Sequence, residues 1–200
     1  MIEQYVVLQS TDPRVLELKA EGYVLAGESW GARLSVTGEE DLKPMWAAID
    51  HVARAGVTVR ELRPEHAESV RKLEAENHAD YPFSPATEHP RRDLHATKSL
   101  WSDGYSLFGA FHADALIGVT AIKLDGDHAE TEFTSVSASH RRQGVGSAVK
   151  SASIIAMFQR GGRMFGTGGA QINASSIAVN SALGYVLVEK WLSFTKPEKD

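Results

Sequence analysis

Between Thr131 and Ala148 the chain reads TEFTSVSASHRRQGVGSA, and this stretch has the clearest chemical use. An alternating run, Phe133 to Val136, leads into Arg141, Arg142, Gln143, Gly144, Val145 and Gly146. A helical pattern follows, with Val145, Ala148, Val149, Ala152, Ile155 and Ala156 on one face. A strand, a glycine-bearing turn and a helix start aim several backbone N–H groups and the positive end of a helix dipole at one point. Such a point selects an anion, most naturally a phosphate. Gly144 and Gly146 carry no Cβ, so a diphosphate can lie against the backbone. Two familiar phosphate loops are excluded. No Gly-Lys-Ser/Thr follows, and the dinucleotide fingerprint needs a third glycine and a downstream acid.

Candidate acid–base residues lie on both sides of this turn. Strict alternation along the preceding strand puts Glu130 and Glu132 on the face of Thr134 and Val136. Both are candidate bases for an amine, with Glu132 slightly preferred. The stretch from Glu76 to Pro85 is polar, aromatic and proline-rich, the composition of a loop that holds functional groups over a scaffold. Glu76, Asp80 and Glu88 are counter-charges for a cationic acceptor, and Tyr81 is a candidate acid. His78, His128 and His140 rank below them. Downstream, Asn173 caps a helix running from Ala174 to Leu183, with Ser176 one turn in.

Arg141-x-x-Gly144-x-Gly146 after a strand resembles the acyl-CoA signature of the GNAT superfamily of acyltransferases. Ala138 stands for the usual proline and His140 for the usual aromatic. A second phrase, Asn173-x-x-Ser176-x-x-x-Asn180-x-x-x-Gly184-Tyr185, is similar to the family's later motif. Its wording, with Thr167, Val179 and Leu183, looks most like the mycothiol-synthase-like branch. The resemblance runs from about residue 57 to about residue 195. It implies a mostly antiparallel sheet splayed at the acyl-CoA site and acetyl-CoA as co-substrate, with no metal. It also implies transfer to a primary amine by direct attack. Val136, Arg141, Arg142, Gln143, Gly144, Val145, Gly146, Ser147, Asn173 and Ser176 would then contact acetyl-CoA. Glu132, Glu130 and Asn173 would serve catalysis, and Asp80, Tyr81 and Glu76 the acceptor. One departure matters: Asn180 stands where many members have a tyrosine, and an amide cannot give a proton to a thiolate. The alternative reading is therefore an acyl-CoA-binding sensor with little turnover.

The elements that must position these groups are legible in outline. The segment 57–200 begins with a strand, Val57 to Leu62, and a helix carrying Ala67, Val70 and Leu73. A helix from Arg92 to Trp101 comes next, then three antiparallel strands: 105–111, 116–122 and 129–136. After the long helix come a short strand, Arg163 to Thr167, a loop, Gly168 to Ile172, the last helix and two closing strands. Residues 1–56 read as a β-α-β-α extension, with Tyr23 to Ala26 and Ala32 to Val36 as separate strand pieces. The fold class is α/β with a mixed sheet. Trp30 and Trp46 are expected in the core.

At 200 residues the chain can bury a good core. A net charge of −5 without a basic cluster argues against nucleic acid as partner. The absence of cysteine excludes a thiol nucleophile and Cys-ligated zinc. No apolar run approaches the ~18 residues of a membrane helix. The expected setting is cytoplasmic, the expected partner a small-molecule or peptide amine, and a homodimer is possible.

Overall fold

The computed structural model describes residues 5–82, 84–87 and 90–196. In chain order, β1 (Val6–Gln9), α1 (Arg14–Ala20), β2 (Val24–Ser35) and α2 (Lys43–Ala53) form the first segment. Then come β3 (Val57–Glu61), α3 (Ala67–Asn77), α4 (Leu94–Ser102), β4 (Tyr105–His112) and β5 (Ala115–Asp125). The remainder is β6 (His128–Val136), α5 (Val145–Gln159), β7 (Met164–Ala170), α6 (Ala174–Ala182) and β8 (Val186–Thr195). The strands make one sheet in the order β1-β8-β2-β7-β6-β5-β4-β3, antiparallel except where β6 meets β7.

Local chemistry accounts for the boundaries. Asp93 accepts a hydrogen bond from the Ala96 N–H at 2.7 Å and starts α4. Asn173 does the same for α6, accepting from the Ser176 N–H at 3.1 Å. Gly144 enters α5 at φ 84°, and Gly161 leaves it at φ 105°.

The sheet is covered on both faces. One face carries α5, whose Ile154, Ile155 and Met157 pack with Ala129 and Phe165 of the strands, with Leu42 just before α2 and with Met45 of α2. The other carries α3 and α4, where Val70, Leu73 and Leu100 meet Leu107, Val119 and Phe133.

Three features differ from the sequence expectation. The two pieces expected around Gly27 to Gly31 are a single strand of 12 residues, β2. It is wedged between β7 and β8, pairing Ser29–Ser35 with Ala170–Met164 and Val24–Arg33 with Thr195–Val186. The first segment is thus woven into the sheet. Pairing with β2 also makes β7 longer than expected, through Gly168 and Gly169, and joins the two closing strands into β8. Trp46 is half exposed, whereas Trp30 is buried and donates its indole N–H to the Ala170 carbonyl at 3.2 Å.

The third departure lies in β6. Ala129 packs on the α5 face, but Phe133 packs on the opposite face, so plain alternation has failed between them. The register against β5 slips there: Ala121 faces Phe133, while Ile122 faces Thr131. This is a β-bulge at Glu132, one extra residue on β6. Glu130 therefore does not share a face with Thr134 and Val136, as alternation had placed it.

Deleting residues 1–36 removes a strand from the interior of the sheet. We expect the remaining chain to lose its cooperative thermal transition. A sharp melt and unchanged far-UV circular dichroism in that deletion would mean that the first segment is dispensable.

Candidate functional site

The turn at Gly144 and Gly146 has the backbone geometry its sequence implies. Gly144 adopts a left-handed conformation, and an added Cβ would meet His51 of α2 at 2.8 Å, so both conformation and space demand glycine. Gly146 is different: an added Cβ would meet only Val136, at an ordinary 3.5 Å. Gln143, Val145 and Ser147 lie around these glycines, where the first turn of α5 has N–H groups without intrahelical acceptors. Arg142, at φ 61°, is exposed beside them.

Arg141 turns the other way. Its Nε donates to the Val136 carbonyl at 3.1 Å, and its Nη2 reaches Asn77 at 2.9 Å and Asp80 at 2.7 Å. The Asn77 amide donates to Ser135 at 2.9 Å, and the Tyr81 hydroxyl donates to the Thr134 carbonyl at 3.1 Å. Asp80, Tyr81 and Arg141 thus clamp the segment after α3 onto β6. Burial, with the Glu74 carboxylate beside it, pushes the Tyr81 phenol well above its ordinary range. Such a phenol is a reluctant proton donor, which weakens Tyr81 as an acid. Glu76 is exposed on α3, and Glu88 lies outside the described residues.

Beyond the turn, the sheet opens. β6 and β7 pair in parallel only at His128–Met164, Ala129–Phe165 and Glu130–Gly166. Past that point the strands part, and Thr131–Val136 and Thr167–Ala170 line a fork. At its mouth is a cleft of about 440 Å³ whose lining includes Glu130, Thr167, Gly168, Arg33, Glu189 and Trp191. Ala86 and Thr87, from the segment after α3, close another side.

The two candidate bases have different surroundings. Glu132, on the bulge, is held by Arg92 at 2.9 Å and accepts from the Tyr105 hydroxyl at 3.3 Å. Arg92 also pairs with the buried Glu74 at 3.4 Å and covers the Phe133 ring. Glu132 belongs to this brace between the segment before α4 and β6. Glu130 instead lies in the cleft, its carboxylate over the bare backbone of Gly166, where any Cβ would collide with it. Arg33 of β2 stands between Glu130, at 3.4 Å, and Glu189, at 3.0 Å. Of the two, Glu130 lines the cleft and Glu132 is held in the brace beside it.

Asn173 spends its side-chain oxygen on capping α6, and Ser176 lies a turn away near Asn180. The Asn180 amide donates to the Ser176 carbonyl at 2.8 Å, while its buried Oδ1 has no partner among the described residues.

Lys150 is not among the residues singled out from the sequence. It is 3% exposed, inside the fork. Its ammonium lies 3.2 Å from Thr167 Oγ1 and 3.5 Å from Thr131 Oγ1, and 5.4 Å from the centre of the Tyr185 ring. Burial lowers its pKa from 10.5 to about 7, opposed in part by the Glu130 carboxylate. A signal did exist. Lys150 is the one charged residue in the 15 of α5, a helix with no polar stripe and hence covered nearly all round. Arg33 carried no such signal, because its neighbours come from strands far along the chain.

Comparison with known proteins agrees with this architecture. A family model described as the acetyltransferase (GNAT) family matches residues 68–185. No curated protein matches the chain. Among solved structures, a tandem GNAT protein from the clavulanic acid biosynthesis pathway superposes with a TM-score of 0.64 at 20% identity, over 98% of this chain and 64% of that one. A GCN5-related N-acetyltransferase from Sphaerobacter thermophilus gives 0.73 at 11% identity, over 99% and 62%. The ribosomal-protein-S18-alanine N-acetyltransferase from Escherichia coli gives 0.56 at 18%, over 72% and 96%. The chain therefore spans less than two thirds of the length of the first two. At these identities the likeness is one of fold.

The buried lysine makes stability depend on pH in a definite direction. Below pH 7 both folded and unfolded chains carry its proton, and the folded state bears the full cost of burying it. Between about pH 7 and 10.5 only the unfolded state holds that proton, so stability rises with pH by up to ~1.4 kcal/mol per unit. Lys150→Met should therefore be more stable than the parent, most at pH 6, with the gap closing towards pH 10. Urea midpoints across that range measure it; a gap that stays constant would mean that the lysine is not buried in the way described.

Proposed function

The chain belongs to the acetyltransferase (GNAT) family, and from that premise we propose that it moves the acetyl group of acetyl-CoA to a primary amine. The observation that carries this reading is the position of Glu130. Its carboxylate stands at the last paired residue before β6 and β7 part, in a cleft continuous with the fork.

The residues present fit acetyl-CoA. The N–H groups from Gln143 to Ser147 would hold its diphosphate, with Gly144 and Gly146 leaving the backbone bare. The edge of β6 from Thr131 to Val136 has no strand against it in the fork; its Thr134 and Val136 carbonyls accept from Tyr81 and Arg141, and its remaining backbone groups would serve the extended arm. When bound, acetyl-CoA supplies an acyl carbon activated by a thiol leaving group. Glu130 takes the proton that the attacking amine must lose. Arg33 holds the carboxylate in place, and Gly166 leaves it room. Glu189 adds a second negative charge, so the cleft suits a cationic amine. Asp80 and Tyr81, through their ties to Arg141 and β6, fix the segment that walls the cleft.

A second reading has its own support. The Asn180 amide is committed to Ser176, and so offers no proton for a departing thiolate. An acyl-CoA sensor of slow turnover would tolerate that loss. Cleft mutants separate the two readings.

Two measurements test the proposal. In calorimetric titration with acetyl-CoA, Gly146→Glu should weaken binding about 100-fold, the ~2.8 kcal/mol of one or two charge-assisted hydrogen bonds. Its Cβ has room and a carboxylate suits the start of a helix, so the melting temperature should hold. Unchanged affinity would remove the diphosphate site from this turn. In a screen of primary amines, Glu130→Gln should slow the best acceptor by about 100-fold or more, and Glu132→Gln by little. Equal, small effects of both would favour the sensor.

A further inference from the structure

The mechanism above leaves the departing sulfur without a proton donor, and the fork contains a buried ammonium that no step has used. Lys150 projects from α5 into the point where β6 and β7 separate. It touches one hydroxyl on each strand, Thr131 at 3.5 Å and Thr167 at 3.2 Å. Thr167 has a second aspect: it lines the cleft together with Glu130. The residue whose hydroxyl touches the buried amine thus also borders the cleft.

We propose that Lys150 is the proton source for the thiol leaving group, acting through the hydroxyl of Thr167. The inference rests on the acyl-CoA reading of the site and adds a residue to it. The step balances as follows. The acceptor amine, drawn to the cleft as a cation, first releases its ammonium proton to solvent and reacts as the free base. Its nitrogen forms a bond to the acyl carbon and gives a proton to Glu130. As the carbon–sulfur bond breaks, Thr167 gives its hydroxyl proton to the sulfur and receives one from the Lys150 ammonium. Glu130 is then protonated and Lys150 neutral, and passage of the proton from one to the other restores the resting state. Base and acid are thus at opposite ends of the same transfer.

The surroundings suit a donor that must work near neutral pH. The ionisable groups around Lys150 are Glu130 from β6, which favours the ammonium, and Tyr185 at the foot of β8, whose ring lies beneath it. Arg33 of β2 pairs with Glu130 and tempers its charge. Burial lowers the ammonium pKa to about 7, where both protonation states are populated in use.

The probe is acetyl transfer to an amine that the parent uses, followed against pH in the parent, Lys150→Met and Thr167→Val, with coenzyme A affinity measured alongside by calorimetry. A proton donor acts only while charged, so the parent should outpace Lys150→Met at least ~10-fold at pH 6, and that advantage should vanish as the pH rises well past about 7. Thr167→Val keeps the charge and removes the relay, and should transfer acetyl at least ~10-fold more slowly than the parent at pH 6. Both variants should bind coenzyme A as the parent does. A rate ratio between parent and Lys150→Met that does not change with pH would overturn the proposal while leaving the acyl-CoA site intact. Full transfer by Thr167→Val would overturn the relay. Failure of the parent to bind coenzyme A would sink the underlying reading, and this inference with it.

Discussion

The architecture depends on how far β6 and β7 stay together. They share a parallel ladder for three residue pairs and then separate. A bulge at Glu132 reverses the faces of β6 just beyond the last pair, and β2 draws β7 towards the opposite side of the sheet. An open edge inside a sheet is costly unless something satisfies it. Here the fork is filled from below by Lys150 and flanked by the first turn of α5. The same opening that leaves backbone groups unpaired is the space a long, thin, hydrogen-bonding co-substrate needs.

The carboxylates around the fork divide by what holds them. Glu74 and Glu132 are braced through Arg92, and Asp80 is tied to Arg141; these contacts position the segment between α3 and α4 against β6. Glu130 and Glu189 share Arg33 across the cleft and sit above glycine backbone, Gly166 and Gly31. Glycines on adjacent strands make a floor shallow enough for two acids to lie flat on it. Arg33 comes from the first segment of the chain, so that segment contributes directly to the electrostatics of the cleft.

Much of this was legible in the sequence, and the limits have physical causes. The glycine turn, the cap at Asn173 and the order of elements from residue 57 onward follow from local rules, since a turn, a cap or a helical stripe is decided within a few residues. Three things were not local. A bulge adds one residue without disturbing composition, so alternation read through it put Glu130 on the wrong face. The partners of β2 lie some 140 residues away, as the Trp30–Ala170 hydrogen bond illustrates, so neither its length nor its place between β7 and β8 could be read from its own residues. Arg141, read as a phosphate contact, has partners in Asn77 and Asp80, which its own stretch of sequence could not announce.

The interleaving of β2 also constrains how the protein comes into being. A strand made at residues 24–35 must wait for partners at 164–170 and 186–195, the last of them at the very end of the described chain. On a ribosome, the stretch from β3 to β6 can pair with itself as it emerges, while Leu25, Trp30 and Leu34 have no sheet to join. Closing so long a loop before any contact rewards it is slow. The nascent chain therefore passes through a period in which an apolar strand is held open at its beginning. Charges in and beside it, Glu21, Glu28 and Arg33 among them, disfavour its pairing with a stranger in that period.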